Sequence, residues 1–599
     1  MRLTLDRGSA PLRRPRSRAR ADLRYRLWMR SALVLGLALV ACDGAPSTLT
    51  DGGLDGGEAL SDAGTDAGPR PPDVCDELGL PRRPFQTTGT GSGQGEVASD
   101  FTLQTLAGPW RFAEQWSGCE SYVFLVYIPD LRATPSGPWI GDALFATGLD
   151  QLYLEGSRTT RFVILSDEPD AAARTARMQQ LASDLDEGLR VLLSDPAERD
   201  FWRPRFHFVT DRATAIDGGP GAYLRDYFAY LATPESIVDL GKRGRAQAPL
   251  PFVFGIDRAQ RFDPGGSLDP VVGQPAQLGM AAYLGHYYDY RATLEDRLAA
   301  ETGVAVVTLV DERTTARVLT PSVELPSASA MQAFSSLEVD VEIVCDERNP
   351  FACSEWDRIA RVSHCADGAA CTDRREIARW ITPYWRRGRQ HWTIDASPML
   401  GLLRAGGTQV FRVELGPGFE RATEWVARVE LRLRAEAGAP RATETVLAFQ
   451  GGLFDASYNA RVPFTFSPPA SSTRVELVTI LSGHDQTAGD NCAEWCDHRH
   501  TFSVNGTALP TITHEGNIGS ARGCARRAGE GVLPGQWGNW APERAYWCPG
   551  LPVEARRTDI TSQVTLGADN TLEYQAALGT SAPRGGDIAL SAYVVWYTD

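Results

Sequence analysis

Between residues 96 and 320, short apolar runs alternate with stretches of helical spacing. Residues 122–127, 161–165, 206–209 and 251–256 have the length and content of buried strands. Residues 171–193 set Ala, Met and Leu at helical intervals among charges, and residues 293–301 do the same. This order predicts an α/β domain whose sheet is covered by helices. Past residue 320 the period changes to two. Leu337, Val339, Val341 and Ile343 alternate with Glu338, Asp340 and Glu342, and residues 425–433, 475–480 and 589–597 are similar runs. Phe502-Ser-Val-Asn505-Gly506-Thr507 is a strand running into an Asn-Gly turn, a hairpin signal. Short alternating strands over this length predict two β-sandwiches of jelly-roll type.

The ends of the pattern set the organisation. Residues 1–30 are rich in arginine, residues 33–41 are apolar, and Leu39-Val-Ala-Cys42 follows. A positive start, a short apolar core and a small residue before cysteine form a secretory signal, too short to span a bilayer. The last four residues match a bacterial lipobox, which predicts cleavage before Cys42, lipidation of its thiol, and a bilayer anchor in the bacterial cell envelope. A better-proportioned signal would begin at Met29. Residues 43–74, rich in Gly, Asp, Ala, Ser and Pro, read as a flexible acidic tether rather than a calcium site, because the Asp-Gly spacing is irregular. The expected organisation is thus a signal (1–42), linker (43–74), α/β domain (75–320), first jelly roll (321–447) and second jelly roll (448–599). Gly89-Thr-Gly-Ser-Gly93 follows no strand and is not a phosphate loop. Ala98-Ser-Asp-Phe-Thr-Leu-Gln-Thr-Leu-Ala-Gly108 resembles the opening of thioredoxin-like redoxins, but Ile128-Pro-Asp-Leu-Arg132 lacks their cysteine pair. The α/β domain therefore reads as a degenerate, non-redox thioredoxin-like module.

The net charge of −15 becomes more negative once the basic leader is removed, and no basic run remains to follow a phosphate backbone. Nucleic acid is excluded as a partner, and the chain is expected to act as a monomer. With Cys42 lipidated, ten of the eleven cysteines remain. An even set in an exported chain predicts disulfides, with Cys119 paired to Cys75.

Four segments carry candidate chemistry: Cys353-Ser-Glu-Trp356-Asp357-Arg358; Glu376-Ile-Ala-Arg-Trp-Ile-Thr-Pro-Tyr-Trp385; Asp490-Asn-Cys492-Ala-Glu494-Trp495-Cys496; and Gly538-Asn-Trp-Ala-Pro-Glu-Arg544-Ala-Tyr-Trp-Cys548. Carboxylates beside indoles suit acid/base work on a sugar-bearing substrate. Each also has a plainer reading. Asp357 with Arg358 could be a structural ion pair, Glu494 could be an exposed loop residue, and Arg544 could be purely structural. Cys492, Cys496, His498 and His500 include zinc-ligand types, but an oxidising compartment favours a disulfide, and no metal or cofactor is expected. His484 and His391 read as hydrogen-bonded structural residues.

Over residues ~320–599 these segments, in this order, resemble the peptide-N-glycosidase F family, secreted bacterial amidases that remove N-glycans. The resemblance implies that Asp357 is the principal catalytic acid and Glu494 the second. Glu414 would be a third acid, reached with a one-residue gap. It also implies that Arg544 holds the site, and that Trp356, Arg358, Trp495 and His484 line the substrate. The implied disulfides are Cys345–Cys353, Cys492–Cys496 and Cys524–Cys548, leaving Cys365 and Cys371 as a pair. Two family indoles are missing, one where Ser482-Gly483-His484 runs together and one after Glu414, where Phe419 is the nearest aromatic. The function implied is hydrolysis of the amide between Asn and the first GlcNAc of N-glycosylated proteins or peptides. The alternatives are a glycan-binding surface lipoprotein without turnover and a glycoside hydrolase using the same acids.

Overall fold

The computed structural model describes residues 73–89, 91, 93–128, 144–145, 148–231, 253–271, 276–345, 356–384, 388–416, 425–484, 491–536 and 538–598. The leader with Cys42, most of the tether, Cys353, Glu355, Trp385 and Phe419 lie outside the described residues.

The N-terminal domain is built on seven strands: β1 (Thr102–Thr105), β2 (Gly108–Arg111), β3 (Ser121–Tyr127), β4 (Thr160–Ser166), β5 (Phe206–Arg212), β6 (Val253–Ile256) and β7 (Phe262–Gly266). They lie in the order β2-β1-β5-β4-β3-β6-β7. The middle three are parallel, and the outer pairs are antiparallel hairpins. Every residue of β3 is buried, as expected of a strand covered on both faces. Helix α1 (Ala171–Leu192) starts at Asp170, whose carboxylate accepts from the Ala173 amide, and buries Met178, Leu181, Leu185 and Leu189.

Helix α2 (Ala282–Ala300) begins well before the 293–301 stretch that shows helical spacing. Its first half buries Tyr283, Leu284, Tyr287 and Tyr288, so it has no polar face to reveal a period. A further helix, Gly218–Leu231, opens on Gly-Gly-Pro-Gly, which the sequence presents as a loop.

The rest of the described chain is mostly β. Strands β8 (Ala305–Thr314), β9 (Val318–Leu319), β10 (Ser322–Ser327), β11 (Ser336–Cys345), β12 (Ile359–Cys365), β13 (Arg374–Ile381), β14 (Gly388–Asp395), β15 (Gly406–Glu414) and β16 (Trp425–Arg434) form the first unit. The second contains β17 (Arg441–Leu453), β18 (Phe464–Phe466), β19 (Arg474–His484), β20 (His498–Val504), β21 (Thr507–Ala508), β23 (Ala555–Asp559), β24 (Asn570–Leu578) and β25 (Asp587–Thr598), while β22 (Leu551–Val553), between them in the chain, pairs with β13 of the first unit. The first unit has sheets β14-β11-β16-β8 and β10-β15-β12-β13-β22, with β9 on β15. The second has β17-β25-β19-β23 and β18-β24-β20-β21. In β16 buried and half-buried residues alternate without exception, as the period of two requires. Asn505 and Gly506 carry φ of 51° and 78° in the β20–β21 turn, the left-handed pair that a tight hairpin demands.

Two features join the units. Val478, Tyr593, Val595 and Tyr597 of the second unit belong to the apolar core of the first. A buried ion pair on β13 also hydrogen-bonds across the seam. Arg379 of β13 donates through Nε and Nη2 to the two oxygens of Glu376, at 2.7 and 2.6 Å. Its Nη1 reaches Ser482 Oγ on β19 and the Ala589 carbonyl on β25, and Ser591 Oγ donates to Glu376. A buried pair is tolerated only when such further hydrogen bonds satisfy it. Disulfides link Cys75 to Cys119, Cys365 to Cys371, Cys492 to Cys496 and Cys524 to Cys548. Cys345 is also disulfide-bonded.

Candidate active site

The short segment before β12 is fastened by Thr382. Its hydroxyl donates to the Trp356 carbonyl at 2.8 Å and accepts from the Arg358 amide at 2.8 Å, while its own amide donates to the Arg358 carbonyl. Asp357 is thereby turned toward Tyr384, two residues beyond Thr382, whose hydroxyl donates to Asp357 Oδ2 at 2.5 Å. On the second unit, Cys492–Cys496 closes one helical turn that carries Glu494. The Ala545 amide donates to the Glu494 carbonyl and registers that turn against residues 544–547.

Arg544 joins the two halves. It is fully buried; its Nε donates to Glu494 Oε1 at 2.9 Å, and Nη2 donates to the Tyr384 hydroxyl at 3.2 Å and lies 3.5 Å from Asp357 Oδ2. Nη1 donates to the Pro542 carbonyl and Nη2 also to the Asn539 carbonyl. The guanidinium lies 4.6 Å from the ring of Trp495 and 4.9 Å from that of Trp547. One fork-shaped cation thus serves two carboxylates, a phenol and two carbonyls, which a lysine could not do. Beside it Trp356, 49% exposed, meets the Tyr384 ring edge-on at 6.4 Å.

The electrostatics follow from burial. Loss of water raises the pKa of Asp357, opposed by the Arg544 charge and the Tyr384 hydrogen bond. Burial beside Asp357 pushes Tyr384 well above the ordinary phenol, so it remains a proton donor. His484 stacks on Trp547 at 4.7 Å, with its Nε2 2.8 Å from Ser482 Oγ. Burial and the charges of Arg379, Arg361 and Arg544 keep that ring neutral.

Asp357, Glu494 and Arg544 therefore come together, with Trp356 and Trp495 beside them. Arg358 lies 6.0 Å from the ring of Trp356. Glu414 is set apart in ion pairs with Arg412, Arg361 and Arg374, at 2.8, 3.1 and 3.6 Å. Tyr384 is the residue that reading the sequence missed. The Thr-Pro-Tyr-Trp string was visible, but nothing in it says that the phenol faces Asp357.

Behind the Glu494 turn, His498 and His500 hydrogen-bond to each other at 2.7 Å, and the two neighbouring cysteines are joined. His498 Nε2 contacts the Ala493 carbonyl at 2.8 Å, and His500 Nδ1 contacts the Tyr574 hydroxyl at 2.6 Å. Each partner fixes a neutral tautomer. Burial depresses His498 to about 4 and His500 well below 6.5. A depressed histidine stabilises the fold above its unfolded pKa, and that stability is lost as pH falls through the window toward the folded value. His498 alone accounts for ~3 kcal/mol between pH 6.5 and 4. Urea midpoints are expected to fall over this range, before ordinary carboxylates titrate; a flat midpoint from pH 6.5 to 4.5 would contradict the neutral pair.

The fold and site define a class: a multidomain, mostly β protein with an acidic centre held by one buried arginine at the seam of two β units. Residues 454–595 match the family model for peptide-N-glycosidase F, C terminal. The peptide-N(4)-(N-acetyl-beta-D-glucosaminyl)asparagine amidase F of Elizabethkingia miricola is 28% identical over 260 residues, covering 41% of this chain and 69% of the relative. Among solved structures, a peptide-N(4)-(N-acetyl-beta-D-glucosaminyl)asparagine amidase crystal structure aligns at 23% identity and TM-score 0.38, over 49% of this chain and 96% of that one. A second, PNGF-II, aligns at 12% and 0.38, over 51% and 67%. The C-terminal half of the chain is thus similar to peptide-N-glycosidase F, and residues 454–595 match that family's C-terminal model.

Proposed function

We propose that the protein hydrolyses the amide between asparagine and the first GlcNAc of N-glycans, with Asp357 as the principal catalytic residue. The observation that carries this is Asp357 itself, buried against a phenol and an arginine beside the exposed indole of Trp356. Tyr384 and Arg544 both address Oδ2 and fix the carboxylate that would take the water's proton. The water adds to the side-chain carbonyl carbon, Asp357 takes its proton, and the C–N bond breaks as that proton passes to the departing glycosylamine. Asparagine becomes aspartate. Glu494, fixed by Arg544, orients the water or the first sugar, and Trp356 offers the sugar an apolar face.

Export and lipid anchoring at Cys42 in the cell envelope belong to this reading, and the disulfides support an oxidising compartment. We read the seven-stranded domain as a degenerate thioredoxin-like module from its parallel centre and flanking hairpins. The paired sheets read as jelly rolls.

A second reading, glycan binding without turnover, is favoured by the Ser482-Gly483-His484 run, which lacks the tryptophan that the family places between Ser-Gly and His. Incubation of the purified protein with a denatured N-glycoprotein decides between them by peptide mass. Release of intact glycan with Asn converted to Asp is expected. A peptide still bearing GlcNAc would indicate a glycoside hydrolase, and binding without product would leave the amidase reading unsupported.

A further inference from the structure

A loop of the second β unit lies between the α/β domain and the candidate site. Residues 533–541 hold Tyr384 on their inner side. Gln536 Oε1 accepts from the Tyr384 amide at 3.0 Å, and Gln536 Nε2 is spent on the Leu533 and Pro549 carbonyls, so the glutamine cannot turn. Gly538 lies so close to the Tyr384 ring that a β-carbon there would come within 2.1 Å of it. The same loop supplies the Asn539 carbonyl that Arg544 grips.

The outer side of the loop rests on the end of β7 and the residues after it. The Ser267 amide donates to the Gly535 carbonyl at 2.8 Å, Trp540 Nε1 donates to the Asp269 carbonyl at 3.1 Å, and the Ala541 amide donates to the Pro270 carbonyl at 3.2 Å. Gly266 and Gly535 face each other with no room for a side chain on either. Trp540, Leu533 and Tyr384 belong to the same apolar core as Tyr283, Tyr287 and Leu278 of the α/β domain. Arg522, just before the Cys524–Cys548 bridge, completes the junction by donating to Glu155, Gln151 and Gln277.

We propose that the α/β domain is a positioning domain: its Gly266–Pro270 edge clamps loop 533–541, and the loop sets Tyr384 and Arg544 against Asp357. The proposal rests on the amidase reading for its kinetic consequence but not for its structural one. The seven-stranded domain then needs no substrate of its own, because its edge is part of the support of the catalytic centre. Displacement of a reacting group by about 1 Å costs on the order of 10²-fold in rate, so small movements of this loop matter.

The test compares three full-length variants. Trp540→Phe keeps an aromatic ring, smaller than the indole, and removes the bond to Asp269. Gly266→Ala wedges the two segments apart. Arg297→Gln, the control, breaks a different contact of α2 with the first β unit, to Glu338 and Thr393. Amide exchange in residues 533–544 is expected to rise in the first two variants and not in the control, with β11 and β16 still protected. kcat on a denatured N-glycopeptide is expected to fall ~10–100-fold, with KM changed far less and the acid limb of the pH profile displaced. The conservative Trp540→Phe also covers the case in which Gly266→Ala does not fold. Unchanged loop exchange in Trp540→Phe, or an equal loss of kcat in Arg297→Gln, would overturn the proposal. A wild type that cleaves nothing would refute the amidase reading alone, because the exchange measurement needs no substrate.

Discussion

Asp357→Asn is expected to slow amide hydrolysis severely while leaving the protein at least as stable as the wild type at neutral pH. The rate should fall by ~10²–10⁴, the range ascribed to a positioned acid or base. The stability outcome follows from burial. The folded-state pKa of Asp357 is raised, so the linked stability is present in full below the unfolded pKa and is lost as pH rises through the folded one. At pH 7 the ionised carboxylate is thus held at a cost, which asparagine removes. The new amide oxygen can still accept from Tyr384, so the cluster need not rearrange. Product mass and thermal midpoint, measured on the same preparation, check both halves. Full activity in the variant would remove Asp357 from the mechanism, and a large drop in midpoint would make it a structural residue instead.

The same raised pKa fixes the sign of the pH profile. A base must be ionised to act, so activity should rise with pH through a value above the ordinary aspartate range. This places the acid limb at higher pH than for an exposed carboxylate.

What could be read from the sequence depended on whether one residue's neighbours along the chain were also its neighbours in space. β11 and β16 were legible because one face of each meets the core, and a period of two records that directly. The first half of α2 was not, because tyrosines buried on all sides leave no stripe. Asp357, Glu494 and Arg544 could be picked out by motif, since each sits in a short string with cysteine or tryptophan. The contact between Tyr384 and Asp357 could not, because it depends on three hydrogen bonds made by Thr382. The junction between the α/β domain and loop 533–541 was more hidden still. Its bonds run largely to backbone carbonyls, which any residue supplies.

Arg544→Met is expected to have the largest effect on stability. It leaves two carboxylates, Asp357 and Glu494, without the cation between them, and strips partners from the Pro542 and Asn539 carbonyls. Removing one member of a buried ion pair costs ~3–5 kcal/mol. Arg544 also opposes the effect of burial on Asp357. Its loss should therefore raise that pKa further and shift any residual acid limb upward. Arg544→Lys restores charge but not the fork, and should recover stability only in part. Combining Arg544→Met with Glu494→Gln removes one of the stranded charges, so the double variant should be less destabilised than the sum of the two singles. Urea midpoints for the four proteins measure that coupling. Simple additivity would mean that Arg544 and Glu494 do not act as a pair, and the seam would then be held by Asp357, Tyr384 and the Asn539 carbonyl alone.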